Sequence, residues 1–197
     1  MRAKSSVKGI VWPGIPSGDA AVLSALMYQL EQTQYLSPDQ LFEHQKHQLA
    51  LSFSHAKESI PFYANRFAEA GFDPHGEITP EAIRKLPILV RSQFQDAAME
   101  TNPGVIPAGH GKHGQIKSSG TTGRPVTVIK TALNNLFLLA NELRGHLWHQ
   151  RDISKKLAVI RYYEKSIAMA PDGQKGKNWG PSVGTIYADA GPLVLLN

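Results

Sequence analysis

The chain of 197 residues contains no cysteine, so neither a disulfide framework nor a thiolate metal site can form. The absence fits a reducing compartment. No apolar run approaches the roughly 18 residues that a bilayer-spanning helix needs. Hydrophobic residues make up 42% of the chain and charged residues 19%, a balance typical of a globular domain and not of a disordered one. We therefore expect a folded cytoplasmic protein without disulfides.

The amino terminus has the charges of a signal peptide but lacks its other features. Its three cations are Arg2, Lys4 and Lys8. Pro13 and Pro16 interrupt the approach to the apolar stretch 20–27, and no small-x-small cleavage site follows that stretch. We interpret residues 20–27 as a short amphipathic helix, and we predict no membrane partner.

The excess of positive charge, +5 for the whole chain, is local. Residues 151–177 carry seven lysines and arginines against three acidic residues. Such a segment attracts anions such as phosphates or nucleic acid, or it is a solvated loop with a few lysines. Aromatic and basic residues do not alternate there as they do in RNA-binding modules, so the sequence predicts no nucleic-acid partner.

Three histidine pairs have H-x-x-H spacing, which on a helix places both rings on one face. They are His44/His47, His110/His113 and His146/His149. No H-E-x-x-H motif occurs and no nearby carboxylate completes a ligand set, so we predict surface or half-buried histidines and no metal site. A Walker A loop is also absent, and the G-x-G-x-x-G match at 109–114 lacks the strand and helix that a dinucleotide fingerprint needs.

The first 90 residues have the pattern of a helical region. Ser37-Pro38-Asp39-Gln40 combines a serine N-cap, a proline at the first helical position and a glutamine three residues after the cap. Pro61 should end or redirect the helix that starts there. Further helices are predicted over 62–70, closed by Gly71, and over 79–87.

From about residue 100 strands and helices alternate, which is typical of an α/β layer. Loops are predicted at 102–114 and 171–182, strands at 126–130, 157–161, 183–187 and 193–196, and a helix at 131–150. Trp148 and Trp179 are expected to pack against other residues. The predicted fold is α/β, with a helical region over 1–90 and an α/β region over 91–197. The apolar run 193–196 favours a homo-oligomer or poor solubility.

The most informative stretch is Ser118-Ser119-Gly120-Thr121-Thr122-Gly123, with two glycines and four hydroxyls just before a β-branched strand. Glycines let backbone N–H groups converge on an anion, and hydroxyls add donors that rotate toward phosphate oxygens. Lys117 and Arg124 add positive charge at the two edges. The stretch is suited to clamp a polyphosphate, and the alternative is an ordinary surface hairpin loop of the same composition.

The eight residues from Ser118 to Pro125 resemble the signature phosphate loop of the adenylate-forming (AMP-binding) superfamily, which closes over the β- and γ-phosphates of ATP. Upstream, Pro61-Phe62-Tyr63 and Leu86-Pro87 resemble the entry region of phenylacetate-CoA ligase-like enzymes. One departure is that Val90-Arg91 stands where Thr-Lys is usual. The resemblance covers roughly residues 50–165, and it is loose outside the loop.

The resemblance implies a fragment: the first strands and helices of an adenylate-forming domain over 91–197, with its phosphate loop at 118–125. The cofactor-binding residues would be Ser118, Ser119, Gly120, Thr121, Thr122 and Gly123 as donors, with Arg124 as the charge. The full-length parent would use ATP, Mg²⁺ and coenzyme A to convert a small carboxylic acid to its thioester. The glutamate that helps hold Mg²⁺, the ribose-binding aspartate and the catalytic lysine of that superfamily are not assigned here, so we expect the chain alone to be inactive.

Two other functions fit the same residues. The acyl acceptor could be a thiol of a protein or carrier, used by a related adenylating enzyme. The chain could also be a binding module that keeps the fold without the chemistry. A reading frame that continues into the glutamate, aspartate and lysine elements would favour an enzyme.

Overall fold

A computed structural model describes residues 2–98, 106–118, 123–160 and 172–196 of the protein. The described helices are α1 (Asp19–Thr33), α2 (Pro38–Ser59), α3 (Pro61–Glu69), α4 (Pro80–Arg84), α5 (Arg91–Ala98), α6 (Ala132–Trp148) and α7 (Pro181–Ile186). The described strands are β1 (His113–Lys117), β2 (Thr127–Thr131), β3 (Leu157–Ile160), β4 (Gln174–Gly176) and β5 (Leu193–Leu196). The fold is mixed α/β. Of the helices in these ranges, none is long and apolar enough to cross a membrane.

The chain forms two compact units. The first unit comprises Met1–Gln32 and Asn134–Asn197, and the second comprises Thr33–Leu133. The division predicted at residue 90, between a helical and an α/β region, stays a prediction.

The second unit begins with the helix start predicted from sequence. The Ser37 hydroxyl accepts a hydrogen bond from the Gln40 N–H at 3.3 Å, and the Gln40 side chain accepts one from the Ser37 N–H at 3.1 Å. This reciprocal pair satisfies two N–H groups that a helix start leaves without intrahelical partners, and Pro38 has none to satisfy. The predicted capping box is confirmed.

The next two helices also follow their local signals. Ile60 is extended (φ −131°, ψ 102°), so α2 ends before it and α3 starts at Pro61. The Thr79 hydroxyl caps α4 by accepting from the Ala82 N–H at 3.1 Å. Both predictions are confirmed.

The core of this unit is aromatic. The Phe53 ring packs edge to face against the rings of Phe67 and Phe72, with 5.8 and 5.2 Å between centroids.

The first unit is built on a three-stranded sheet in the order β3-β5-β4. β5 runs parallel to β3 and antiparallel to β4. The buried core of the unit comes from α1, α6, α7 and the segments beside the sheet: Ala20, Leu23, Ala140, Leu143, Ile153, Trp179, Val183 and Ile186. The strands predicted at 157–161 and 193–196 are confirmed as β3 and β5, with Arg161 outside the described residues.

Two predictions in the first unit are wrong. Residues 183–187 are β-branched enough to suggest a strand, but α7 covers most of them because Pro181 is pre-organised for a first helical position. The Asn178 side chain lies against Gly184, where a Cβ would come within 2.8 Å of the Asn178 Cβ. Within the predicted loop 171–182, the short strand β4 forms because it pairs with β5.

The two tryptophans named above differ in burial. Trp179 is 3% exposed, and its indole N–H donates to the Lys155 carbonyl at 2.6 Å, which confirms the predicted packing role. Trp148 is 57% exposed, and its ring lies against the Arg144 guanidinium at 4.0 Å from the centroid. Trp148 therefore contacts a neighbouring side chain but is not part of the buried core.

A pair of leucines on α6 tests the core assignment. Leu143→Ala should lower the free energy of unfolding by about 2–5 kcal/mol because Leu143 is fully buried and leaves a cavity. Leu138→Ala makes the same chemical change on the same helix at a site that is 55% exposed, and it should cost less than about 0.5 kcal/mol. Urea unfolding monitored by tryptophan fluorescence measures the free energy of unfolding of the first unit, since all three tryptophans belong to that unit. Equal losses in the two variants would contradict the assignment.

Candidate phosphate-binding site

The predicted phosphate loop is the sequence that connects the two strands of a ribbon in the second unit. β1 and β2 pair antiparallel, from His113 opposite Thr131 to Lys117 opposite Thr127. β1 was not predicted, since loop was expected up to Gly114. Its residues are exposed along the whole strand, so they carry no alternating apolar pattern, and the strand exists because it pairs with the β-branched β2.

Ser118 and Val126 close the base of the loop. The Ser118 N–H donates to the Val126 carbonyl at 2.8 Å, and the Val126 N–H donates to the Ser118 hydroxyl oxygen, also at 2.8 Å. The Ser118 hydroxyl is thus a structural acceptor that still carries its own hydrogen as a donor. The remaining predicted loop residues Ser119, Gly120, Thr121 and Thr122 lie outside the described residues, and their role stays a prediction.

Gly123 has a φ of 116°, in the region that only glycine adopts without strain. The backbone conformation immediately before Arg124 therefore requires a glycine. Gly123 therefore adopts the positive φ that was the reason to expect glycines in the loop.

Helix α5 holds the Arg124 end of the loop. The Arg124 guanidinium lies 2.5 Å from an Asp96 carboxylate oxygen and also donates to the Gln95 carbonyl at 3.3 Å. The Arg124 carbonyl accepts from the Gln95 side chain and, at 3.5 Å, from Arg91. The predicted phosphate cation is therefore placed by three residues of one short helix.

The ion pair between Arg124 and Asp96 is solvent-exposed, with the two side chains 47% and 68% accessible. Pairs of this kind contribute about 0–1 kcal/mol, so a phosphate with more negative charge can replace the carboxylate. Asp96 and Gln95 were not predicted from the sequence because α5 was not predicted and because Asp96 and Arg124 are 28 residues apart in the chain.

The position of α5 depends on Arg66 of α3. The Arg66 guanidinium donates to the Pro87 carbonyl at 2.5 Å and to the Gln93 side chain at 3.3 Å. The same Gln93 oxygen accepts from the Val90 N–H at 3.3 Å, at the start of α5.

A cavity of about 240 Å³ lies between these helices and the ribbon, with Phe62, Tyr63 and Phe94 among its lining residues.

The histidine pairs do not assemble a ligand set in the described parts of the chain, where no group of three His, Cys, Asp or Glu side chains could hold a metal ion. His146 contacts the Arg151 guanidinium at 2.9 Å from Nδ1. Burial, followed by this cation, holds the pKa of His146 below its usual value. Because a guanidinium has donors only, Nδ1 of His146 is the acceptor in this contact.

Comparison with known proteins gives one informative match. Over 113 residues, 57% of its length, the chain is 31% identical to a phenylacetate-coenzyme A ligase of Pseudomonas putida. It is a distant relative of that ligase. The match covers 25% of the ligase, so the chain spans about a quarter of the length of this relative. No protein-family model matches the chain.

The hydroxyl at the loop base can be tested by hydrogen exchange. Ser118→Ala should speed exchange of the Val126 amide about two- to tenfold, because a hydrogen bond contributes roughly 0.5–1.5 kcal/mol. Ser118→Thr keeps the oxygen and should keep the protection. The Ala132 amide, bonded to the Lys112 carbonyl at the other end of the ribbon, serves as an internal control. Unchanged Val126 exchange in Ser118→Ala would show that the hydroxyl does not close the loop.

Proposed function

We propose that this chain is the phosphate-binding segment of an ATP-dependent acid–CoA ligase, which activates a small carboxylic acid by adenylation and then forms its thioester. The proposal is supported by an antiparallel ribbon whose two strands are connected by a glycine- and hydroxyl-rich sequence, with the Arg124 guanidinium beside Asp96 of α5. The similarity to a phenylacetate-coenzyme A ligase supports it.

The residues present fit the phosphates of ATP. Backbone N–H groups and hydroxyls from Ser118 to Gly123 would donate to the β- and γ-phosphates, and Arg124 would exchange Asp96 for a phosphate oxygen. Donors fixed in advance stabilise the charge that develops on pyrophosphate as it leaves. The ion pair with Asp96 keeps the guanidinium at the edge of the loop, so little ordering is needed when the nucleotide arrives.

Mg²⁺ and coenzyme A enter the proposal through the resemblance to the ligase. Mg²⁺ would neutralise phosphate charge, and coenzyme A would supply the accepting thiol. In the described ranges no group of three carboxylates or histidines could hold a metal ion, so we assign no Mg²⁺ ligands to residues of this chain.

Charge reversal at Arg124 tests the phosphate contact. Arg124→Glu should weaken pyrophosphate binding about ten- to a hundredfold, because a charge-assisted hydrogen bond contributes roughly 1.5–3 kcal/mol. Titration calorimetry on the 197-residue chain measures the affinity. Arg84→Glu is the matched control, since Arg84 lies in the same unit and is also paired with a carboxylate, Glu81, at 2.8 Å. Equal affinities for the two variants would refute the contact.

Neutralising Asp96 should have the opposite effect. Asp96→Asn frees Arg124 from its carboxylate and should tighten pyrophosphate binding by up to about fivefold, the value of an exposed ion pair. Asp73→Asn removes a carboxylate that is 3.7 Å from Lys57 in the same unit, so it controls for the change in net charge. Weaker binding in Asp96→Asn would contradict this and would show that the positioning of Arg124 by Asp96 outweighs the competition of Asp96 with phosphate.

The chain alone should not adenylate a carboxylic acid. It spans a quarter of its ligase relative, and catalysis by positioning fails when reacting groups are not held to within about an ångström. ATP–pyrophosphate exchange, measured with a panel of aryl and fatty acids, should stay at the level of a Gly120→Asp variant. The full-length Pseudomonas ligase serves as the positive control. Acid-dependent exchange well above Gly120→Asp would make this chain a complete enzyme.

A further inference from the structure

The first unit carries a closed loop near its amino terminus, residues 6–15, that the proposed function does not use. The Ser6 N–H and hydroxyl both donate to the Ile15 carbonyl, at 2.8 and 2.9 Å, and the Ile15 N–H donates to the Ser5 hydroxyl at 3.3 Å. These bonds bring the two ends of the segment together. We call residues 6–15 the amino-terminal loop.

The amino-terminal loop is attached to the folded part of the same unit. The Lys4 N–H donates to the carbonyl of Ile186, a buried residue at the end of α7, at 2.7 Å. The Ala188 N–H donates to the Arg2 carbonyl at 3.0 Å. Gly14 lies so close to Ala3 that a Cβ would come within 3.0 Å of the Ala3 Cβ. The base of the loop is therefore fixed in place.

The loop presents apolar side chains to solvent. Trp12 is 80% exposed and Val11 60% exposed. Three further large apolar residues, Val7, Ile10 and Ile15, are 39–45% exposed. Several large apolar side chains exposed together on one short anchored loop mark a contact with an apolar phase or a partner, because exposing apolar surface to water is unfavourable.

Positive charge accompanies these apolar side chains in the sequence. Arg2, Lys4 and Lys8 are exposed, and no acidic residue occurs before Asp19. Within the described ranges, no carboxylate lies at ion-pair distance from Lys4 or Lys8. At the loop base, the Asp189 side chain accepts a hydrogen bond from the Arg2 backbone N–H at 3.4 Å. The cation of the loop, Lys8, and the two that precede the loop, Arg2 and Lys4, therefore complement a negatively charged surface.

We propose that the amino-terminal loop binds the surface of membranes that contain anionic lipids. Trp12 and Val11 enter the headgroup region, where tryptophan is favoured because its ring is apolar and its N–H can still find a polar partner. Lys4, Lys8 and Arg2 contact the lipid phosphates, an attraction that clustered cations provide. This proposal replaces the sequence-based prediction of no membrane partner.

Vesicle sedimentation with matched variants tests the apolar part of the proposal. The chain should sediment with phosphatidylserine/phosphatidylcholine vesicles and much less with phosphatidylcholine alone. Trp12→Ser should weaken this binding about tenfold or more, the value of burying one large apolar side chain. Trp148→Ser changes another exposed tryptophan of the same unit and should bind as the unchanged chain does. Brominated lipids should quench fluorescence in Trp148→Ser but not in Trp12→Ser.

A second pair of variants tests the charge. Lys4→Glu with Lys8→Glu should weaken binding to the anionic vesicles, whereas Lys155→Glu with Lys156→Glu, which removes two exposed lysines elsewhere in the unit, should leave it intact. No sedimentation with anionic vesicles, or equal losses in the loop variants and their controls, would overturn the proposal. A third result would also overturn it: the unchanged chain does not bind vesicles, and Trp12→Ser changes the oligomeric mass measured by light scattering. The loop would then contact protein and not lipid.

Discussion

The pair of hydrogen bonds between Ser118 and Val126 is the constraint on which the candidate site depends. A loop of glycine, serine and threonine buries no apolar surface, so its own residues cannot fix its position. The ribbon fixes the two residues that flank this segment: β-branched residues hold β2 extended, β1 pairs with β2, and two hydrogen bonds join Ser118 to Val126. A polyphosphate clamp needs donors that are held in this way before the ligand arrives.

Helix α5 adds the charge to this arrangement. It is connected through Gln93 to Arg66 of α3, and it ends in the residues that bind Arg124. Hydrogen bonds thus connect α3, which contributes to the aromatic core of the second unit, to α5, and α5 to Arg124. An exposed ion pair is weak enough to exchange and still strong enough to keep a long side chain near one place. These properties suit a residue that must meet an incoming phosphate.

Local signals predicted much of the fold, and pairing between distant residues accounts for the rest. The start of α2 at Ser37 and the break at Pro61 were correct because a cap and a proline act within a few residues. β1 was missed because an exposed strand has no apolar period, and α7 was mistaken for a strand because its β-branched residues outweighed Pro181. The loop residues were chosen from sequence, but Asp96 was not, since the contact across 28 residues leaves no local pattern.

The most direct test of the central claim is a nuclear magnetic resonance titration of the isotope-labelled 197-residue chain with pyrophosphate. If the turn of the ribbon is a phosphate loop, the largest amide shift changes will occur from Ser118 to Arg124, with smaller ones at Gln95 and Asp96 as Arg124 leaves its carboxylate. If the changes instead gather in the basic segment 151–156, or if no amide moves at saturating pyrophosphate, the loop is an ordinary hairpin turn and the ligase proposal loses its main support.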